Sequence, residues 1–446
     1  MKKNILFFAA LLLFNYYAFS QGIMTTCIGS GTAGYSGDNG PASTAELNGG
    51  NDICMDPDGN IYIADAMNNV IRRVSMSGII TTVAGNNIAG NSGDGGQATG
   101  AQLKSPGYIC LDPFGNLYIS EGGPMIGNPG NATIRKVTPS GIISTVAHLL
   151  CPKGICSDQS GNVYVADQEA NKILKITATG ALSTYAGTGY GGYTGDGFQA
   201  TAAQLNGPMA VGINAAGDLY FSDQIYSPSA ESYIRKIDAA TGVISTIAGN
   251  GSGTMGDGGP AINAGLGFIF GIFIDGHGDL YCNEESCASR KIDMTTGIIN
   301  LVAGEYGTEG YNGDGGSATT EDLKFPGGLF VNPWNGNLII ADMGNNRIRS
   351  ATQPDYVPTA TGTKNLSNTH EDSLILPNPS NGVFTLKTTA AHTNIIVSNE
   401  LGQIVYNSST ESRTTRIDLS FEPSGIYYVA MTYASGTEEQ KVIINR

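Results

Sequence analysis

One pattern recurs six times along this chain and limits its fold more than any other feature. It runs I-x-T-V-A-G, a glycine-rich stretch, G-I-x-x-D, D-G-N-L-Y-I-A-D and then I-R-K-V-x-x-x-G, with its cleanest copies over 79–141 and 243–297. The units span 25–78, 79–141, 142–180, 181–242, 243–297 and 298–353. A unit this small cannot bury a core alone, so its copies must stack. In the first full unit the runs 108–112, 116–120, 133–137 and 142–147 are β-branched or aromatic and read as four strands. Tight turns join them, Phe-Gly-Asn at 114–116 and Ser-Gly at 140–141. Four antiparallel strands per unit, repeated radially, make an all-β six-bladed β-propeller. The repeats open on a lone fourth strand at 23–28 and end on three strands near 329–350, so the first run is expected to complete the last blade.

Composition agrees with many short strands. Of 446 residues 63 are Gly, and only 14% are charged, while apolar residues reach 41%. That apolar share supports a core and argues against general disorder. Net charge is -15 with no basic stripe, which disfavours nucleic acid and anionic membrane surfaces as partners.

The first twenty residues read as a signal peptide. Lys2 and Lys3 precede a ten-residue apolar run at 5–14, and Ala18 and Ser20 form a small-residue cleavage site before Gln21. The run is too short to span a bilayer, and no later segment is a transmembrane candidate. Seven cysteines remain after cleavage, so at least one stays unpaired within the chain. Export permits disulfides, and a bridge between Cys282 and Cys287 across a hairpin loop is one expectation.

The units 21–353 form the propeller domain. Residues 354–372 lack periodicity and read as a linker. The stretch 373–446 then changes character, with short strands expected at 383–387, 395–398, 403–406, 415–419, 425–433 and 440–444. About seven strands in so few residues suggest a small Ig-like β-sandwich.

The repeats resemble the NHL family of six-bladed propellers through Asn60 to Asp65 (NIYIAD), Asn68 to Arg72 (NNVIR), Asn337 to Asp342 (NLIIAD) and Asn345 to Arg349 (NNRIR). That resemblance implies the fold and says little about function, because the fold hosts both binders and enzymes. The tail resembles the type A C-terminal sorting domain of the type IX secretion system of Bacteroidota. The matching residues are Leu376, Pro377, Asn378, Pro379 and Gly382, then Leu401 and Gly402, Ile417 to Ser420, Gly425 to Val429 and Lys441 to Ile444. The resemblance implies that the secretion machinery is a partner. It implies outer-membrane translocation and removal of the tail, leaving a secreted or surface-attached protein.

Candidate functional residues sit in loops on a rigid scaffold. The second-to-third and blade-to-blade loops are expected to be long and to share one face. A G-D-x-G motif recurs in the blade-to-blade loops around Asp38, Asp94, Asp257 and Asp314, with a variant at Asp196, and unit 142–180 lacks it. Calcium is one reading of these aspartates, which are weak metal candidates because each loop offers a single acid. The other is structural: Asp-Gly turns the chain, and the following A-x-x-A-x-L makes one helical turn between blades, started by Pro41 or Pro260. Tyr35, Tyr193 and Tyr311 each lie two residues before the Gly-Asp of their loops. They either stack on sugars or a protein partner, or pack over their own loops.

Cys54, Cys110 and Cys156 share one first-strand column with Gly212, Phe273 and Phe330, which points to packing rather than a metal. The pairs Asp65/Arg72 and Asp342/Arg349 read as hairpin architecture. The four histidines, His148, His277, His370 and His392, do not converge in sequence context. The expectation is therefore a propeller that binds a glycan or protein through its long-loop face, with no cofactor assigned. The alternative is a lactonase- or lyase-like enzyme with a carboxylate or metal site in the channel.

Overall fold

The computed structural model describes residues 22–122, 132–225, 231–249, 255–353 and 356. In the tail it describes 374–376, 380, 382–387, 393–399, 402–410, 412, 414–433 and 436–444. The segments expected to be a signal peptide, 1–20, and, for the most part, a linker, 354–372, lie outside the described residues.

Six antiparallel sheets follow one another along the chain. Sheet one contains Gly50–Met55, Ile61–Asp65, Val70–Val74 and Ile80–Ala84. Sheet two contains Pro106–Leu111, Leu117–Glu121, Ala132–Val137 and Ile143–Leu149. Sheet three contains Pro152–Ser157, Val163–Asp167, Lys172–Ile176 and Leu182–Ala186. Sheets four and five begin at Val211–Ile213 and Ile269–Ile274 and end at Ile244–Ala248 and Ile298–Gly304. Sheet six takes Pro326–Val331, Leu338–Asp342 and Arg347–Ala351 from the end of the repeats. Its fourth strand is Met24–Ile28, paired antiparallel with Arg347–Ala351.

The first strand of each sheet touches the first strands of its two neighbours, and sheet six touches sheet one, so the circuit closes. This is a β-propeller. Closure follows from the sequence: with the fourth strand of the last sheet supplied from the N-terminal end, neither end of the repeat array presents an open face. Apolar side chains fill the space between sheets. Ile28, Leu47, Ile53, Ile63, Ile339 and Ile348 form one such core between sheets six and one, all nearly fully buried. Each such side chain stabilises the ring by roughly 1.5–3 kcal/mol.

One expectation is corrected here. The second-to-third connections of sheets one, three and six are not long. They are four-residue turns, two of them with a 3-10 helix at Ala66–Asn68 and Met343–Asn345. Each closes on an asparagine in the left-handed region, Asn69, Asn171 or Asn346, a conformation that asparagine tolerates better than most residues. The connection 122–131 in sheet two is long as expected, and so are the loops between sheets, except for the two residues that join sheets two and three. Four of them carry the anticipated helical turn, Ala42–Thr44, Ala98–Gly100, Ala200–Ala202 and Ala261–Asn263, with Pro41 and Pro260 just before two of them.

The tail forms two sheets. One joins Leu374–Leu376, Val383–Lys387 and Thr414–Asp418, and the other joins Thr393–Asn399, Ile404–Thr410, Gly425–Tyr433 and Gly436–Ile444. Phe384, Leu386 and Ile417 from the first pack with Ile395, Val397, Val429 and Val442 from the second. The result is a small β-sandwich. Of the sorting residues, Gly382 and Gly402 have positive φ, +100° and +78°, and Gly425 opens a strand. Pro377, Asn378 and Pro379 lie outside the described residues.

Candidate functional site

The third strand of five sheets carries a fully buried arginine: Arg72, Arg135, Arg235, Arg290 and Arg349. Each is held between an inner and an outer carboxylate, and Arg349 has Glu321 at 3.7 Å as well. The inner one lies at or near the end of the second strand of the same sheet. These pairs are Asp65–Arg72 at 3.5 Å, Glu121–Arg135 at 3.6 Å, Asp223–Arg235 at 3.0 Å, Glu284–Arg290 at 3.3 Å and Asp342–Arg349 at 3.6 Å. The outer one is the aspartate of the G-D-x-G loop. Asp38, Asp94, Asp196, Asp257 and Asp314 stand 2.7, 2.7, 2.7, 2.8 and 3.2 Å from the same arginines. Burial pushes Asp65, Asp223 and Asp342 up to about 6, against the pull of the guanidinium. Two of the outer aspartates behave oppositely. Burial raises Asp94 and Asp196, but bonds from Thr145 or Thr246 and from Arg135 or Arg235 outweigh it and hold both below the usual carboxylate range.

In this arrangement the loop aspartates, the weak metal candidates, pair with arginine. Both oxygens of each candidate are already engaged. Asp38 Oδ2 accepts from Thr82 N–H and Asp94 Oδ2 from Thr145 N–H. Asp257 Oδ2 accepts from the Tyr306 hydroxyl and Asp314 Oδ2 from the Tyr311 hydroxyl. A guanidinium sits where a cation would be required, and calcium needs six or more oxygens. Among the described residues no three His, Cys, Asp or Glu side chains gather as a metal cluster.

The three tyrosines lie over the same arginines. Arg72 sits 5.1 Å from the Tyr35 ring centre, Arg235 4.9 Å from Tyr193, and Arg347 and Arg349 4.0 and 4.9 Å from Tyr311. Their hydroxyls bond Thr82, Thr246 and Asp314. Each ring keeps an exposed part, 39%, 36% and 38% respectively. They belong to sheets one, four and six, and sheets one and four lie on opposite sides of the circuit, so the three do not form one platform. Sequence reasoning missed three related groups. Tyr306 reaches from the next loop to bond Asp257, doing in sheet five what Tyr311 does in sheet six. Tyr190 and Phe198 share the Tyr193 loop and are 75% and 70% exposed. The signal was present for Phe198, which stands where the other four loops carry Gly40, Gly96, Gly259 and Gly316.

At the ring centre the first strands enclose a cavity of about 270 Å³. Its walls are mostly Ile, Leu, Val, Phe and Gly, and its single carboxylate is Asp52. The Asp52 oxygens accept from Ile53 N–H at 2.9 Å and Ile109 N–H at 2.8 Å, linking sheet one to sheet two. Burial pushes Asp52 up to about 7. Cys54, Cys110 and Cys156 reach this cavity and also pack into the cores between sheets, with burial raising each thiol above its ordinary value. His148 lies at the exposed end of a sheet-two strand opposite Thr133, and His277 packs edge-on against Tyr356, with ring centres 5.0 Å apart. His370 and His392 lie outside the described residues.

The expected disulfide is also corrected. Cys282 and Cys287 are both free and buried. Cys282 packs into the core between sheets four and five and Cys287 into the core between sheets five and six, on opposite faces of one sheet. Side chains directed to opposite faces cannot form a bridge without backbone movement.

Comparison with known proteins bears on both parts of the chain. Residues 374–445 match the family model described as the secretion system C-terminal sorting domain. The tail thus marks the chain for export to the cell surface or beyond by type IX secretion. Among solved structures, a Bacteroides thetaiotaomicron protein of unknown function superimposes with a TM-score of 0.55 at 16% identity, covering 74% of this chain and 76% of its own. An auxiliary nutrient binding protein from the same organism gives the same values. One from Bacteroides ovatus gives a TM-score of 0.54 at 16% identity over 74% of this chain and 76% of its own. At such identity the likeness speaks for the fold alone. Mouse teneurin-1 is 26% identical over 222 residues, which is 42% of this chain but 8% of the teneurin.

Proposed function

We propose that the chain is an exported six-bladed propeller of the NHL type that binds a glycan or protein partner through the face bearing its long inter-sheet loops. The tail engages the type IX secretion machinery, and the propeller is the part that works outside the cell. The observation that carries the reading is the set of five loop aspartates ion-paired to buried arginines. They fix surface loops that would otherwise have to be ordered on binding, and a preordered face loses less entropy when a partner docks. Tyr35, Tyr193 and Tyr311 are rigid aromatic anchors with part of each ring in solvent, and Tyr190 and Phe198 extend the apolar contact in one loop. The reading requires no cofactor and no calcium. The neighbours described as nutrient binding proteins are consistent with a binding role for the fold.

The test is a screen of surface and dietary glycans with the mature propeller, repeated with Tyr35→Ala, Tyr193→Ala and Tyr311→Ala. A loss of about tenfold or more for at least one variant is expected, as for a central aromatic anchor. Unchanged binding in all three would remove these tyrosines from the site.

A further inference from the structure

Five of the six sheets have the outer edge of their fourth strand covered by the chain itself. In sheet one, Asn39 N–H donates to Ile80 O, Ile80 N–H to Gly40 O, and Ala42 N–H to Gly78 O. The same three bonds recur in sheet two through Gly95, Ile143 and Ala98, and in sheet four through Gly197, Ile244 and Ala200. Sheets five and six have Gly258 and Ala261 on the last strand, and Gly315, Met24 and Ala318. The G-D-x-G loop is therefore a lid over a strand edge. Its effect shows in one side-chain column: Ile80, Ile143, Ile244, Ile299 and Met24 are all 0% exposed.

Among the described residues sheet three has no lid. Two residues, Leu150 and Cys151, join it to sheet two. Leu182 holds the column position, paired with Ile176 as Ile80 is with Val74, and it is 47% exposed. The residue equivalent to Thr82, whose N–H is bonded by Asp38, is Thr184. Among the described residues no loop reaches the outward amides of Leu182 and Thr184. Natural edges are usually blocked by charge, proline or a covering segment. Leu182–Ala186 carries neither charge nor proline, and the whole of 176–195 is uncharged in a chain of net charge -15.

We propose that this edge is an interface between two copies of the chain, formed by antiparallel pairing of Leu182–Ala186 with itself. A two-fold axis at Ser183 sets Leu182 opposite Thr184 of the second copy and supplies four main-chain hydrogen bonds, because both residues present their outward N–H and C=O groups. A second copy fits for two reasons. An isologous contact requires a self-complementary patch, which an antiparallel strand edge is. Two strongly acidic molecules also approach most cheaply where neither carries charge. Phe114, 63% exposed, lies against Gly161 in the first turn of this sheet.

The test uses the mature chain. Sedimentation over a concentration series is expected to show a monomer–dimer equilibrium. Leu182→Lys and Thr184→Pro are each expected to weaken it about tenfold or more, the first by placing like charges together and the second by removing an outward donor. Far-UV circular dichroism reports whether each variant keeps its sheets, and Leu182→Lys serves if the proline variant does not. Ser183→Cys places two thiols on the axis at a spacing compatible with a disulfide, so a covalent dimer is expected on oxidation. A wild-type chain that stays monomeric to its solubility limit would overturn the proposal. So would dimers that Leu182→Lys leaves unchanged, or a Ser183→Cys chain that never cross-links.

Discussion

Sheet three and its five companions differ in two features that are far apart in sequence but meet in space. The companions carry a buried arginine on the third strand and an aspartate on the preceding loop. Sheet three carries Leu174 at the arginine position, paired with Val165 and Thr184 as Arg72 is with Ile63 and Thr82, and it has no loop. Both are missing together. A buried guanidinium without its loop would lose the aspartate and the loop carbonyls that accept from its N–H groups, and unpaired donors in a dry environment are costly. The arginine and its loop thus form one device. Sheet three still folds as four strands, and its Asp167 is held by Leu150 and Cys151 amides instead. The device is therefore not what makes a sheet. It closes an edge and fixes a surface loop.

The largest effect should come from copying sheet three into a companion. Arg235→Leu leaves Asp223 and Asp196 without their cation, and Asp223 is almost fully buried. The expected loss is about 3–5 kcal/mol, the cost of breaking a buried ion pair from one side. Denaturant unfolding of the propeller measures it. A loss below about 1 kcal/mol, the range of exposed pairs, would mean that the guanidinium is not what secures the loop.

A second comparison uses the lid column. Ile244 and Leu182 occupy equivalent places, one 0% and one 47% exposed. Ile244→Ala should cost about 2–4 kcal/mol through lost burial and a residual cavity. Leu182→Ala in the monomer should stay within about 0.5 kcal/mol, as surface changes do. Thermal unfolding of the two variants side by side checks this. Equal losses would show that the third edge is covered after all.

Much of this was legible in the sequence. The six units, their turns and the closure by 23–28 follow from strand-like runs punctuated by glycine. The Asp65–Arg72 and Asp342–Arg349 pairs follow from a fixed interval on adjacent strands of one hairpin. The link from Arg72 to Asp38 was not legible, because three connections and two strands separate them and it depends on where the chain folds back. The same holds for the lids: nothing local to G-D-x-G says that its amides serve the edge of a strand some forty residues later. For the aromatic loop residues, sequence gives their place within a unit but not the angle between units. The second-to-third turns were expected to be long, although Asn69, Asn171 and Asn346 already marked sites for a left-handed turn.

A pH-dependent effect is expected at Asp52, which holds sheets one and two together at the cavity while the aligned position in sheet three is Gly154. Burial raises its folded value to about 7 from an ordinary value of 3.8. The folded form therefore holds a proton that the unfolded form releases, over the window between those two values. A raised carboxylate contributes its full stability below the unfolded value and loses that contribution as pH climbs through the folded one. Asp65, Asp223 and Asp342 shift in the same direction, to about 6, so a pH profile of the native chain mixes all four. A difference profile isolates Asp52. Asp52→Asn removes one titration and leaves the others, while giving up one of two amide contacts at every pH. Melting temperatures of the two proteins, subtracted, should move in favour of the variant between pH 5 and pH 8 by an amount worth on the order of 1–3 kcal/mol. A flat difference would show that the Asp52 carboxylate is ionised in the folded ring throughout, and that the cavity is wetter than its apolar walls imply.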